Sequence, residues 1–317
     1  MTTAPLPALA PEAPPQVRPW PLWRRFILHF GAVYLALYFL AGVQGFLPAE
    51  TAWPVADAVS RALFGAPLPA LGEATGSGDT ALLWAWTLCL LLASLMAGGA
   101  WTALAPSLLR PQVLTTLGRF LRVVLIVWLT VYGMAKFNLG QFDLLSSTQL
   151  ATTYGESSPM GLLWRFMGAS PGYQWVAGVA EVLPALLLLH RRTVTLGALI
   201  AAMTLSNVLA LNLFYDVPVK NFSAHLLLAA VVLLAMDARR LRALVTGEAV
   251  PACSGRPQSG LTTAAAWVMT LLLLVAVAFN VRTGLAALNT DRQRTQVSGE
   301  PLKTRGFHWV NETPHNR

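Results

Sequence analysis

The sequence predicts an all-α fold, a polytopic transmembrane bundle of about seven helices. Only 11% of the 317 residues are charged, 55% are hydrophobic, and the mean hydropathy is +0.56. An average soluble domain carries roughly 25% charged residues, so these charges are too few to cover the two soluble domains that this length would allow. The apolar residues also form blocks that approach the ~20 residues a helix needs to cross a bilayer.

Two accessory spans are expected before the main bundle, over residues 26–119. Residues 1–25 are rich in Pro and Ala and lack the apolar core of a signal peptide, so we expect a cytoplasmic N-terminal tail. The predicted spans run from Phe26 to about Leu47 and from Ala81 to about Ala105. The acidic loop between them ends in Asp79 and Thr80, which are candidate N-caps for the second span.

Four further spans form a predicted core over residues 120–242. They run from about Val123 to Leu139, Tyr173 to Leu189, Thr193 to Phe214 and Phe222 to Met236. A basic connector with Arg110, Arg119 and Arg122 should join the accessory unit to this core. The apolar segment Met160–Met167 is too short to cross a bilayer, so we expect an interfacial or re-entrant helix there.

Residues 243–317 should complete the chain as a linker, a seventh span from Leu261 to about Phe279, and a polar C-terminal tail. Lys and Arg concentrate on the cytoplasmic side of membrane proteins. Twelve fall on the side of the N-terminus, against three in the short loops of the other side. We therefore predict a multi-pass protein of the bacterial inner membrane, with a cytoplasmic N-terminus and a periplasmic C-terminus.

Several function classes are excluded by composition and motifs. The net charge of +8 does not indicate nucleic acid as a partner, because the basic residues lie in short clusters between apolar blocks and form no nucleic-acid module. Cys89 and Cys253 are far apart and belong to no CxxC motif, which argues against thiol relays and cysteine-built metal centres. The partner that the composition does indicate is the lipid bilayer.

Ionisable and amide side chains fall within the predicted core, where an unpaired charge in hydrocarbon is costly. Glu181 lies near the middle of one span, and Lys136 lies inside another. These two are the candidate proton-carrying or ion-pairing residues. The candidate ligand-binding residues are Arg165, Asn212, Asp216, Lys220 and His225.

Two interpretations of this polar set remain open. In the first, Lys136 and Glu181 form an internal ion pair that fixes helix packing, and Asp216 pairs with Lys220 at the outer rim. In the second, the set lines a pocket in which Glu181 passes protons to or from a quinone-like carbonyl compound. The segment Met160–Met167 would then cover the pocket as a lid.

A haem held by two histidines would require both ligands at one depth, which only His29 and His190 satisfy. His190 abuts Arg191 and Arg192, so we interpret it as an interfacial cap. We accordingly predict neither haem nor another metal site.

Five segments carry a resemblance to a known family. They are Tyr132-Gly-Met-Ala-Lys-Phe137, Ser158-Pro-Met-Gly-Leu-Leu-Trp-Arg-Phe-Met-Gly168, Gly178-Val-Ala-Glu-Val182, Arg191-Arg-Thr-Val-Thr-Leu-Gly-Ala198 and Tyr215-Asp-Val-Pro-Val-Lys220. Through them the chain resembles the DoxX family of bacterial membrane proteins over roughly residues 120–242. The first two spans and the C-terminal tail resemble a longer branch of that family.

The resemblance implies a four-helix DoxX-like core and a link to respiratory or sulfur redox chemistry. Members of the wider family include the membrane part of a thiosulfate:quinone oxidoreductase, and others are membrane partners of redox proteins. It implies no established catalytic set for this chain. Three function classes stay open: a quinone-linked subunit or partner of a redox system, a non-catalytic scaffold for a redox or envelope protein, and a small transporter. The absence of evident repeats and paired broken helices argues against the transporter.

Overall fold

The computed structural model describes residues 20–42, 48–71, 78–104, 110–249 and 260–298, and every regular element in those ranges is helical. Six of these helices are long and apolar enough to cross a membrane. The protein is therefore an all-α, multi-pass membrane protein. Most of the predicted N-terminal tail and the end of the C-terminal tail lie outside the described residues.

The first two long helices form an antiparallel pair. They are α1 (Leu22–Ala41) and α3 (Ala81–Leu104). A Cβ on Gly98 would fall 2.7 Å from the Cα of Phe30, so glycine is what allows the two backbones to approach this closely. The predicted first span, Phe26 to Leu47, is corrected at both ends: α1 begins at Leu22 and ends at Ala41, and residues 43–47 lie outside the described residues.

A helix that the sequence did not predict replaces much of the acidic loop. This is α2 (Ala49–Phe64), whose fully buried Ala52 and Ala56 belong to a small apolar cluster with the start of α3. Within it, the Asp57 carboxylate accepts hydrogen bonds from Arg61 Nε and from the Leu68 N–H, both at 2.7 Å. The bond from Arg61, and after it the bond from Leu68, hold the pKa of Asp57 below its usual value.

The centre of the bundle is the pair formed by α4 (Arg110–Phe137) and α7 (Pro171–Leu189). The predicted basic connector is corrected, because it forms the first part of the 28-residue α4. Arg122 donates hydrogen bonds to the carbonyl oxygens of Leu188 and Leu189, the latter at 2.6 Å. The last carbonyls of a helix lack partners within the helix, so this arginine caps the end of α7.

Three short elements connect α4 to α7: α5 (Ser147–Ala151), a 3₁₀ turn (Tyr154–Glu156) and α6 (Pro159–Gly168). The Ser158 hydroxyl accepts a hydrogen bond from the Gly161 N–H at 3.0 Å and so caps the start of α6. With 10 residues, α6 spans only ~15 Å, which matches the short, non-crossing helix expected around Met160–Met167.

Two more helices complete the bundle: α8 (Val194–Phe214) and α9 (Lys220–Met236), followed by the short α10 (Ala238–Thr246). The large apolar residues with the least exposure come from α4, α7 and α9, which places the core between these helices. They are Leu121, Leu125, Leu129, Leu188 and Leu226.

The last described helix is α11 (Gly260–Ser298), which has 39 residues. The predicted seventh span ended near Phe279, and this end is corrected, because the helix continues through a polar stretch to residue 298. At ~1.5 Å per residue α11 is ~58 Å long, about twice the ~30 Å hydrocarbon thickness of a bilayer.

The helices meet at two ends of the bundle. At one end, α4 and α8 terminate and α7 and α9 begin. We call it the cavity end, because it holds the cavity described below. Trp175 Nε1 donates to the Phe137 carbonyl oxygen there, at 3.1 Å. At the opposite end, called the far end, α7 ends, α8 begins, and His190 hydrogen-bonds to Thr270 of α11.

Candidate functional site

Lys136 and Glu181 form an ion pair between α4 and α7. Lys136 Nζ lies 2.6 Å from Glu181 Oε2, and the two side chains are 7% and 6% exposed. Gly133 and Gly178 bring the two helices close together, since a Cβ on Gly178 would lie 3.2 Å from the Gly133 carbonyl oxygen. The structure thus brings together the two residues that the sequence had singled out as proton-carrying or ion-pairing candidates.

Two aromatic rings flank the ammonium group of Lys136. Its Nζ lies 6.0 Å from the centre of the Tyr132 ring and 5.9 Å from that of Phe142. A cation within about 6 Å of a ring face is attracted to the ring's negative charge density. The rings therefore help to hold the charged lysine in a largely apolar surrounding.

The ion pair lies in the wall of a cavity of about 450 Å³ between α4, α6, α7, α8 and α9. Most of the lining is apolar, and the charged, amide and phenolic side chains that face it are few. They are Tyr132, Lys136, Gln141, Tyr173, Glu181, Asn207 and Asn212. This size and composition are typical of sites for small molecules, in which a few polar groups orient an otherwise apolar ligand.

Of the five predicted ligand-binding residues, Asn212 is the one that lines this cavity. Its Nδ2 donates to the Ser223 hydroxyl at 2.9 Å, and Ser223 in turn donates to the Lys220 carbonyl oxygen at 3.1 Å. The amide group is thereby held between the end of α8 and the start of α9. The residue lines the cavity in this position.

The short helix α6 covers one side of the cavity, as the lid interpretation predicted. Its cavity-lining residues are Met160, Leu163, Trp164, Phe166 and Met167. Trp164 packs edge-on against Phe142, with 5.1 Å between ring centres. Arg165, a predicted ligand-binding residue, is not among the lining residues and instead hydrogen-bonds to the Ser157 hydroxyl.

Asp216 and Lys220 also lie outside the cavity lining. They pair with each other at 2.7 Å, as the ion-pair interpretation expected, but the Asp216 side chain is 79% exposed. Asp216 adopts a positive φ of 52° in the turn between α8 and α9, which directs the chain into α9. This pair therefore belongs to the rim and not to the polar part of the cavity.

Asp79 performs a role that the sequence did not predict. Its carboxylate accepts hydrogen bonds from the backbone N–H groups of Lys220, at 2.7 Å, and Asn221, at 3.0 Å. It therefore caps the start of α9, while Thr80 caps α3 by accepting from the Leu83 N–H at 3.2 Å. A carboxylate at a helix N-terminus satisfies unpaired donors and complements the helix dipole.

His225, the remaining predicted ligand-binding residue, belongs to a separate network between α1 and α9. Its Nδ1 lies 2.8 Å from the Asn221 carbonyl oxygen, which can only accept, so Nδ1 carries a hydrogen. In the neutral ring Nε2 then accepts from the Tyr34 hydroxyl at 2.7 Å. The imidazole also stacks on Tyr38, whose hydroxyl donates to Asn221 Oδ1 at 2.7 Å.

The two histidines considered for haem lie in different interfaces. His29 lies 3.0 Å from the hydroxyl of Thr102 on α3, and His190 lies 2.9 Å from that of Thr270 on α11. Across the described residues, no group of three or more His, Cys, Asp and Glu side chains is placed to hold a metal ion.

Comparison with known proteins shows that the chain is similar in sequence to a protein of Bacillus subtilis (strain 168), described as the uncharacterized protein YwoB. The two are 33% identical over 121 residues, which is 38% of this chain and 76% of the relative. The chain belongs to the YwoB family. No family model matches the chain, and no solved structure matches it either.

The chemistry available in this cavity follows from its polar groups. Lys136 offers N–H donors, Glu181 offers carboxylate oxygens, and the Tyr132 phenol can donate or accept. The surrounding apolar and aromatic surface suits a planar, largely apolar molecule that carries one or two oxygen atoms. Sequence inspection missed Tyr132, although it lies four residues before Lys136 and therefore on the same face of α4.

Proposed function

We propose that the cavity binds a quinone-type compound and that the protein is a quinone-linked subunit or partner of a redox system. The observation that carries this proposal is the buried Lys136–Glu181 pair in the wall of an aromatic-lined cavity of about 450 Å³. A quinone ring is planar and apolar, with carbonyl oxygens at opposite edges. One carbonyl could accept a hydrogen bond from Lys136 while the ring packs against Tyr132, Phe142 and Trp164.

The proposed step is the reduction of quinone to quinol, which consumes two electrons and two protons. A redox-protein partner supplies the electrons. Lys136 orients the carbonyl and stabilises the negative charge that develops on its oxygen. Glu181 takes up a proton from the solvent at the cavity end and passes it to that oxygen. The second proton reaches the opposite oxygen from the same solvent. The reverse sequence of transfers would oxidise a quinol.

The wider architecture belongs to the same proposal. We count α9 as a seventh span, because its 17 residues extend ~26 Å and it packs against α4 and α8 like the other crossing helices. The helices α4, α7, α8 and α9 would then form a DoxX-like four-helix core. The protein would reside in a bacterial inner membrane with its N-terminus in the cytoplasm and its cavity end towards the periplasm, as the distribution of basic residues favours.

Thermal unfolding of the purified protein with decylubiquinone or a menaquinone analogue tests the proposal. A bound quinone should raise the unfolding temperature of the wild type, because a ligand that binds only the folded state stabilises it. Glu181→Gln and Lys136→Met should reduce this increase. Asp216→Asn is the matched control, since that carboxylate lies on the exposed rim, and it should leave the increase unchanged. Equal stabilisation of the wild type and all three variants would indicate nonspecific, lipid-like binding.

A non-catalytic scaffold is the second candidate, and the length of α11 favours it. A helix of 39 residues is about twice as long as a bilayer's hydrocarbon core requires, so part of it is available to contact another protein. Failure of every quinone type to stabilise the wild type would favour this function over the first. The Lys136–Glu181 pair would then serve only to fix the packing of α4 against α7.

A further inference from the structure

The helices α7 and α8 are in contact at the far end of the bundle and separate towards the cavity end. At the far end, a Cβ on Gly197 would fall 3.0 Å from Leu187 Cβ, so the two backbones nearly touch. Half-way along, the Thr204 hydroxyl of α8 donates to the Ala180 carbonyl oxygen of α7 at 3.0 Å.

Beyond the Thr204–Ala180 contact, the cavity occupies the space between these two helices. Val176 and Ala177 line it from α7, and Asn207, Val208 and Leu211 line it from α8. α6 lies over the cavity end of this gap, because Met160 and Met167 line the same space. We call the gap between Val176 and Val208 the lateral cleft.

The lateral cleft reaches the outer surface of the bundle. Val176 lines the cavity and is also 64% exposed, which places its side chain at the boundary between the cavity and the outer surface of the bundle. Val176 lies inside α7, one of the six helices long and apolar enough to cross a membrane. In a membrane, a surface at that position would face hydrocarbon, and an opening there would connect the cavity with the interior of the bilayer.

We propose that the ligand of this cavity is an amphiphile with a long apolar chain, which enters from the bilayer through the lateral cleft. Its ring reaches the Lys136–Glu181 pair, and its chain stays in the cleft between α7 and α8, in contact with lipid. This inference rests on the proposed function, because it names the class of quinone that the site takes: lipid-borne, with an isoprenoid or alkyl tail. The apolar tail of the ligand would add binding energy through contacts that a ring without a tail cannot make.

A bulky side chain in the cleft tests this route. Val176→Trp should weaken the binding of decylubiquinone by about tenfold or more, since its chain must pass the new ring. The binding of menadione, which has no chain, should change far less. Val179→Trp is the matched control, because Val179 is also exposed on α7, at 52%, but does not line the cavity. Val208→Trp obstructs the cleft from the opposite wall and serves if Val176→Trp does not fold.

Equal weakening of decylubiquinone and menadione by Val176→Trp, or weakening of neither, would overturn lateral access. A second measurement needs no quinone: a phosphatidylcholine with a photoactivatable diazirine on its acyl chain should label cavity-lining residues of α6 in the wild type. Val176→Trp should remove this labelling, and Val179→Trp should keep it. Absence of labelling in the wild type would refute the open cleft. Labelling without any effect of quinone on stability would keep the cleft and refute the quinone function.

Discussion

Gly133 of α4 and Gly178 of α7 face each other across a close contact between the two helices. A Cβ on Gly133 would fall 3.1 Å from the Gly178 carbonyl oxygen and 2.5 Å from Cγ2 of Val182. Each glycine precedes one member of the ion pair by three residues. The closeness of the two backbones is therefore what lets Lys136 and Glu181 meet.

Gly133→Ala should separate α4 from α7 and weaken the ion pair. Overpacking at such a contact costs ~1–3 kcal/mol, so the unfolding temperature in detergent should fall. Gly99→Ala is the control, because a Cβ on this α3 glycine would meet nothing within 4 Å. Alanine favours helices over glycine, so the control should be neutral or slightly stabilised. Equal losses in both variants would contradict the close-contact explanation.

Breaking the ion pair from either side should destabilise the protein. Glu181→Gln leaves the charge of Lys136 without its partner, and Lys136→Met does the same to the Glu181 carboxylate. Losing one partner of a buried ion pair lowers the free energy of unfolding by about 3–5 kcal/mol. The double variant should recover part of this loss. Denaturation of the wild type, the two single variants and the double variant in detergent measures the coupling energy between Lys136 and Glu181. Strictly additive losses would show that the two charges do not stabilise each other.

Asp79→Ala should loosen the start of α9. Removing a helix cap costs roughly 0.5–2 kcal/mol, and here two backbone N–H groups would lose their acceptor. Hydrogen exchange should increase at Lys220 and Asn221, and Asp79→Asn should restore part of the protection. Thr80→Ala, which removes the cap of α3, should instead affect exchange near Leu83. The same exchange pattern in both alanine variants would argue against a cap that joins two distant segments.

The loop after α2 should lose protection at acidic pH. The pKa of Asp57 is lowered in the folded protein, so its stabilising effect is present above the ordinary carboxyl pKa of ~3.9 and is lost as the pH falls through the lowered value. Exchange at the Leu68 amide, corrected for its intrinsic rate, should be slower in wild type than in Asp57→Asn at neutral pH. The two should converge in strong acid. A constant difference at every pH would contradict the role of the ionised carboxylate.

Reporter fusions test the proposed orientation. An alkaline phosphatase fused after Arg242 should be inactive, because that residue lies at the far end, which we assign to the cytoplasm. A fusion after Arg317 should be active, because α11 would carry the chain across the membrane. If only the fusion after Arg242 were active, the protein would have the opposite orientation in the membrane. Inactivity after both residues would remove α11 from the set of crossing helices.

The order of the long helices and the position of the cavity could be predicted from the sequence, because both depend on patterns within single segments. Apolar blocks of spanning length indicate crossing helices, and Lys136 and Glu181 are conspicuous inside such blocks. The helix α2 was missed because Pro54 interrupts its pattern and acidic residues make it resemble a loop.

The remaining features depend on contacts between segments that are distant in the sequence. Nothing near Asp79 shows that its carboxylate caps α9, and the aromatic pattern around Tyr34 does not indicate a bond to His225. Arg122 was interpreted only as an orientation signal, yet it also caps the end of α7. Asp216, Lys220 and His225 were predicted to bind a ligand, but only the packing decides which polar residues line the cavity, and these three do not line it.

The cap that Asp79 provides also has a consequence for biosynthesis. Asp79 precedes Lys220 by 141 residues, so the ribosome completes the capping residue long before α9 emerges. When α9 enters the membrane, its first N–H groups find an acceptor that is already in position beside α3. A chain that lacked the segment carrying Asp79 would have to insert α9 with these N–H groups unsatisfied.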